Sequence, residues 1–222
     1  MIFKASGADI YYEKRGAGKP LILLHGNGED HTIFDKALPL LEKHFTVYAI
    51  DTRGSSLCSS KSSPADELHY DEMAQDIYEF LCKMSLEGCV LYGFSDGGII
   101  GLILAIKYPG LLSRVIASGP NVTPKGLKLI WRALFKIIYF FTRSKNYKLM
   151  IHEPNITDDE LRGISIPVHI TGGEKDMISL SHMKHIAECI KGSELTILPG
   201  ETHDSYVIGS TKIAEIIIKA AL

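Results

Sequence analysis

The 222-residue sequence is poor in the features that mark several large classes of protein. Its four cysteines, Cys58, Cys82, Cys89 and Cys189, form no C-x-x-C pair and no zinc-ligand spacing. We therefore expect reduced thiols in a cytoplasmic protein, with no metal centre. Charge of one sign is also lacking. A formal net charge of -2 gives no reason to expect nucleic acid or an anionic membrane as a partner. The longest apolar-rich stretch, Leu127 to Phe141, is interrupted by Lys128, Arg132 and Lys136, so no integral membrane span is expected. The opening MIFKASGADIYYEKRG carries charges too early for a secretory h-region, and no export signal is expected. No internal repeat, low-complexity linker or phosphate-cradling P-loop is visible, and no cofactor is implied.

What is present is alternation. With 45% hydrophobic residues, the chain can build one domain with a sizeable core, or one domain with a small excursion. Short apolar runs read as buried strands: PLILLHG, FTVYAID, GCVLYGFS, RVIASG, IPVHITGG and ELTILPG. Between them lie segments of helical period, His31 to His44, Glu67 to Met84, Asp96 to Tyr108, Ser179 to Ile190 and Asp204 to Leu222. Strands alternating with helices predict an α/β fold with a mostly parallel central sheet, covered by helices on both faces. The first twenty residues hold two strand-like runs around Ser6-Gly7 and predict an antiparallel hairpin at the sheet edge. From Val122 to Ile164 no strand is expected, and TPKGLKLIWRALFKIIYFFTRSK reads as a long helix. Residues 122–164 are thus a short helical cap inserted into a core made of 1–121 and 165–222.

Chemistry concentrates in LYGFSDGGII, Leu91 to Ile100. Ser95 follows a strand-like run and precedes a helical one. A serine on so tight a turn projects its hydroxyl above the sheet edge, and glycine is needed two residues to either side, at Gly93 and Gly97. The helix behind it points its N-terminal N–H groups and positive dipole end at the same spot. A serine nucleophile needs a base, and the base needs an orienting acid. Of nine histidines, His203 alone combines a loop position after the last strand with an acid, Asp176, on the loop after the preceding strand. Glu174 competes with Asp176 but sits nearer the strand end, which suits a structural or pocket residue. Acyl transfer also needs two N–H donors for the oxyanion. One is the backbone N–H of Asp96. The other is expected from Asn27, in the HGNG that follows the strand Leu21 to Leu24.

Together, HGNG, DTRG at Asp51 to Gly54, GFSDGG, GEKD and the late His203 resemble the α/β-hydrolase superfamily over nearly the whole chain. The stretch GFSDGGIIGLILAIKYPGLLSRVIASG looks closest to bacterial single-domain hydrolases and to valacyclovirase-like esterases. The resemblance implies a cofactor-independent serine hydrolase acting on a small-molecule ester or related acyl bond. A C–C bond hydrolase or perhydrolase on the same three residues is the alternative, and a non-catalytic binding protein of this fold is another. GSSLCSS after DTRG departs from the family's usual G-x-G-x-S, and the cap is short for such enzymes. Two features keep two readings each. The Asp96 carboxylate either complements the helix dipole or receives a cationic substrate group, as the esterases' preference for α-amino acid esters implies. The apolar face of the cap helix either roofs the pocket, or forms a homodimer contact or meets a lipid surface. Lys128, Arg132 and Lys136 are expected to form one cationic stripe along that helix.

Overall fold

The computed structural model describes residues 1–55 and 67–222. Eight strands form one sheet: β1 (Ile2–Lys4), β2 (Asp9–Arg15), β3 (Lys19–Leu24), β4 (Phe45–Asp51), β5 (Cys89–Phe94), β6 (Leu112–Ser118), β7 (Val168–Gly173) and β8 (Glu194–Leu198). Their spatial order is β1-β2-β4-β3-β5-β6-β7-β8. β1 pairs antiparallel with β2, and β2 antiparallel with β4, while every other neighbour is parallel. The expected α/β class and the antiparallel N-terminal hairpin are both present.

Among the described residues the α-helices are α1 (Leu38–Leu41), α2 (Tyr70–Lys83), α3 (Asp96–Lys107), α4 (Leu129–Thr142), α5 (Lys145–His152), α6 (Asp158–Arg162), α7 (Leu180–Cys189) and α8 (Lys212–Ala221). They cover both faces, which is why the central strands are continuous apolar runs. In β3, Leu21 and Leu23 enter the core shared with α1 and α8, whereas Ile22 and Leu24 enter the core shared with α2, α3 and α7. β5 has no exposed residue at all. It lies between β3 and β6, so whatever follows it emerges near the middle of the sheet's C-terminal edge.

Three expected helices are shorter or more broken than their periodicity suggests. His31 to His44 divides into a 3-10 turn, His31–Phe34, and the single-turn α1. The Asp51 carboxylate anchors the first piece through the His31 backbone N–H and ring, and Pro39 opens the second. Asp204 to Leu222 is helical only from Lys212, because Gly209 takes a left-handed φ of 64° and the preceding residues run as turns. The long helix expected over Thr123 to Lys145 begins as a 3-10 turn, Pro124–Gly126, before α4 starts. Leu127 makes a bridge to Ile178 there, and the Lys128 N–H donates to the Met177 carbonyl. Those tertiary bonds hold the chain extended where local propensity favoured helix. Lys128 consequently leaves the anticipated stripe and turns its ammonium inward to the Asp176 carbonyl, 2.5 Å away.

The interval 122–164 holds α4, α5 and α6 and contributes no named strand. Cys82, Cys89 and Cys189 are free thiols. Among the described residues no helix is long and apolar enough to cross a membrane. Cys58 and most of the GSSLCSS departure lie outside the described residues.

Candidate active site

Ser95 joins β5 to α3 with φ 50° and ψ -112°, a conformation sparsely populated by any residue with a Cβ. The crowding around it explains the flanking glycines. A Cβ on Gly93 would stand 2.1 Å from the Gly97 carbonyl oxygen, and one on Gly97 would stand 2.3 Å from that of Leu24. Two backbone bonds pin the turn to its neighbours: the Ser95 N–H donates to Ser118 O at 2.7 Å, and the Gly97 N–H to His25 O at 3.1 Å. The strain is therefore held by the strands on either side.

The Ser95 hydroxyl lies 3.1 Å from His203 Nε2, and His203 Nδ1 lies 2.7 Å from Asp176 Oδ1. Asp176 is fully buried, and its carboxylate also accepts the Ile178 N–H at 2.8 Å and the Gly173 N–H at 3.3 Å. These backbone donors fix the carboxylate so that Oδ1 faces the imidazole. With the proton on Nδ1, the ring presents a lone pair to the serine. The Phe94 ring packs against it, with centroids 5.0 Å apart. Residues from three separate loops, 108 positions apart at the extreme, thus form one continuous hydrogen-bonded line.

The remaining named residues fall into place around that line. Asp96 heads α3, and its backbone N–H is one of the first-turn donors that no helical carbonyl can satisfy. Its side chain is buried. Oδ1 accepts from the Tyr70 hydroxyl at 2.7 Å and Oδ2 from Asn27 Nδ2 at 2.8 Å. Burial outweighs both bonds and raises this carboxyl to about 6. Asn27 is thereby tied to the head of α3. Glu174 accepts the Gly200 N–H at 2.8 Å, and the acid hydrogen-bonded to His203 is Asp176. His25, at the start of HGNG, is buried and neutral: its Nδ1 meets the Gly26 carbonyl, its Nε2 accepts the Thr52 N–H, and burial lowers its proton affinity.

Ser95 and His203 open into a cavity of about 620 Å³. Asn27 and Glu29 line one side, and Trp131, Phe135, Tyr147 and Met150 from α4 and α5 line another. Glu29 escaped the sequence reading. Its carboxylate accepts the Gly26 N–H at 2.9 Å, and burial pushes it up to about 7. The available signal was an acid directly after HGNG, on a loop already assigned to the oxyanion.

Residues 19–144 match the family model for the alpha/beta hydrolase fold. The chain belongs to the alpha/beta hydrolase family. Among similar proteins is the serine hydrolase BPHL of Homo sapiens, 30% identical over 91% of this chain and 79% of that protein. A putative non-heme chloroperoxidase of Synechocystis sp. is 28% identical over 88% of each. Among solved structures, Est816, described as an N-acyl homoserine lactone degrading enzyme, superposes with a TM-score of 0.82 over the full length of both chains. At 20% identity that likeness speaks for the fold alone.

Proposed function

We propose that this α/β hydrolase is a serine hydrolase of carboxylic esters or related acyl bonds, with Ser95 as nucleophile, His203 as base and Asp176 as its orienting acid. The observation that carries the reading is the unbroken line Asp176–His203–Ser95, at 2.7 and 3.1 Å. Ser95 Oγ attacks the substrate carbonyl while its proton passes to His203 Nε2. Asp176 keeps the ring in the tautomer that can accept it and offsets the imidazolium charge that forms. The carbonyl oxygen becomes an oxyanion, received by the backbone N–H groups of Asp96 and Asn27. Collapse expels the alcohol, which takes the proton from His203, and leaves Ser95 acylated. Water then repeats the sequence and releases the acid. Residues 122–164 act as a cap whose aromatic side chains shape the acyl pocket.

Ser95→Ala leaves a folded protein without a nucleophile. Losing such a group costs at least about 10⁴-fold in kcat. We expect a fluorophosphonate to label the wild type once, at Ser95, and to leave Ser95→Ala unlabelled. Near wild-type hydrolysis of p-nitrophenyl esters by Ser95→Ala would remove the assignment. The chloroperoxidase relative supports a second reading, perhydrolysis, in which hydrogen peroxide replaces water at the acyl-enzyme. Peracid release measured beside ester hydrolysis, over several acyl lengths, separates the two.

A further inference from the structure

The cap helix α4 exposes most of its apolar residues. Of its fourteen residues only Phe135 is buried. At 100° per residue, Leu129, Ile130, Leu134, Ile137, Phe140 and Phe141 fall within one sector pointing away from the core, with no polar residue among them. Leu129, Ile130 and Phe141 are each more than 70% exposed. Single exposed apolar side chains are ordinary, but a continuous stripe of six on one helix is not.

Charge says what covers it. From Gly97 to His152 the sequence has no aspartate or glutamate. Between Val122 and His152 stand seven lysines and arginines, while the rest of the chain holds 17 basic residues against all 26 acidic ones. The small net charge therefore hides a separation: a cationic α4–α5 segment, 122–152, on a remainder with more acidic than basic residues. Lys136 and Arg132 flank the stripe along α4, and Lys125 and Arg143 stand at its two ends, Lys136, Lys125 and Arg143 being exposed. A second copy of the chain would bring a cap of the same sign against this one and is disfavoured. An anionic lipid surface supplies both an apolar layer for the stripe and negative headgroups for its rim. α4 is about 21 Å long, too short to cross a hydrocarbon layer of about 30 Å, so it suits lying in the plane of the interface.

We infer that α4 docks the protein on anionic membrane surfaces, its apolar stripe sunk among the acyl chains and its basic rim among the headgroups. In that pose Trp131 and Phe135, which line the cavity from the same helix, place the pocket mouth at the lipid boundary. Apolar substrates then reach the cavity without crossing bulk water. The docking itself does not depend on which residue is the nucleophile.

Co-sedimentation of the full chain with vesicles tests this. Vesicles of phosphatidylcholine mixed with phosphatidylserine are expected to pellet the protein, and those of phosphatidylcholine alone to pellet much less, with the difference shrinking as salt rises. Combined Ile130→Ser, Ile137→Ser and Phe141→Ser substitutions replace no cavity-lining residue. They should abolish pelleting while p-nitrophenyl acetate hydrolysis and far-UV circular dichroism stay at wild-type levels. Combined Lys125→Gln, Lys136→Gln and Arg143→Gln substitutions should weaken partitioning into anionic vesicles on the order of a hundredfold. Equal pelleting by both vesicle types, or pelleting unchanged in the serine variant, would overturn the inference. So would a solution dimer, by light scattering, that the serine variant converts to monomer without any wild-type vesicle binding.

Discussion

At the scale of single residues, Asp96 shows how a carboxylate beside the proposed nucleophile can serve position. Both of its oxygens are occupied, by the Tyr70 hydroxyl and by Asn27 Nδ2, and it lies below the cavity surface. It joins the two backbone segments whose N–H groups are proposed to hold the oxyanion. An amino group on a substrate would have to compete with those donors to reach it. Asp96→Asn presents an amide to two donors and so loosens the Asn27 loop. We expect kcat to fall by about tenfold to a hundredfold, in line with loss of alignment at an oxyanion site. The loss should be equal for an aminoacyl ester and its desamino counterpart. A selective loss on the aminoacyl ester would instead make Asp96 a binding group for the substrate amine. The loop positions of Ser95, Asp176 and His203 were legible in the sequence, because each lies just past a strand-like run. Glu29 and Tyr70 were not. Glu29 follows HGNG, but hydrophobic spacing does not say that its carboxylate is buried, and only the approach of distant segments makes Tyr70 a neighbour of Asp96.

Elements carry the next set of consequences. The β5–α3 turn works because β3 and α3 approach within backbone contact at Gly97. Gly97→Ala would push a methyl group into the Leu24 carbonyl, 2.3 Å away, and the rigid strand cannot yield. We expect at least about 3 kcal/mol of destabilisation, the upper part of the range for overpacking, read as a lower urea midpoint. An unchanged midpoint would mean that α3 can slide off the sheet. The start of α4 is tied to the same site. Lys128 reaches from the head of α4 to the Asp176 carbonyl, on the loop that presents the carboxylate to His203. Lys128→Met keeps the stem and removes the donor. A hydrogen bond from a charged group contributes about 1.5–3 kcal/mol. The variant should lose several-fold in kcat with KM nearly unchanged, measured on a short p-nitrophenyl ester. An effect confined to KM would show that Lys128 shapes the acyl pocket alone. Helical period failed at this point, and at residues 31–44 and 204–211. In each place a specific tertiary bond or a left-handed glycine overrode a local preference, and neither leaves a trace in hydrophobic spacing.

For the whole molecule, burial of acids around the cavity couples stability to pH. Glu29 is raised from its ordinary 4.5 to about 7 by burial. Between those values the folded chain keeps the proton and the unfolded chain has released it. The folded state binds more protons, so stability falls as pH rises through this window and is lowest once the group is ionised in both states. A shift of this size corresponds on the order of 3 kcal/mol before screening by water in the cavity reduces it. Glu29→Gln retains the acceptor for the Gly26 N–H and cannot ionise. Its Tm should decline less than that of the wild type between pH 4.5 and 8. Parallel declines would place the Glu29 carboxyl in contact with bulk water.

The sequence by itself determined the α/β class, the antiparallel hairpin, the order of strands and helices along the chain, and the family. It did so because strand burial on both faces, helical period and the glycine demand of the serine turn are all local requirements, written within a dozen residues. Only the tertiary structure decided how His203 meets Ser95 and Asp176, that Asp96 is spent on Asn27 and Tyr70, that Lys128 turns inward, and that the apolar side of α4 faces outward. Those are relations between segments up to 108 residues apart. They are fixed by the register of parallel strands and by which loops that register brings to one edge, and a linear pattern holds no measure of either.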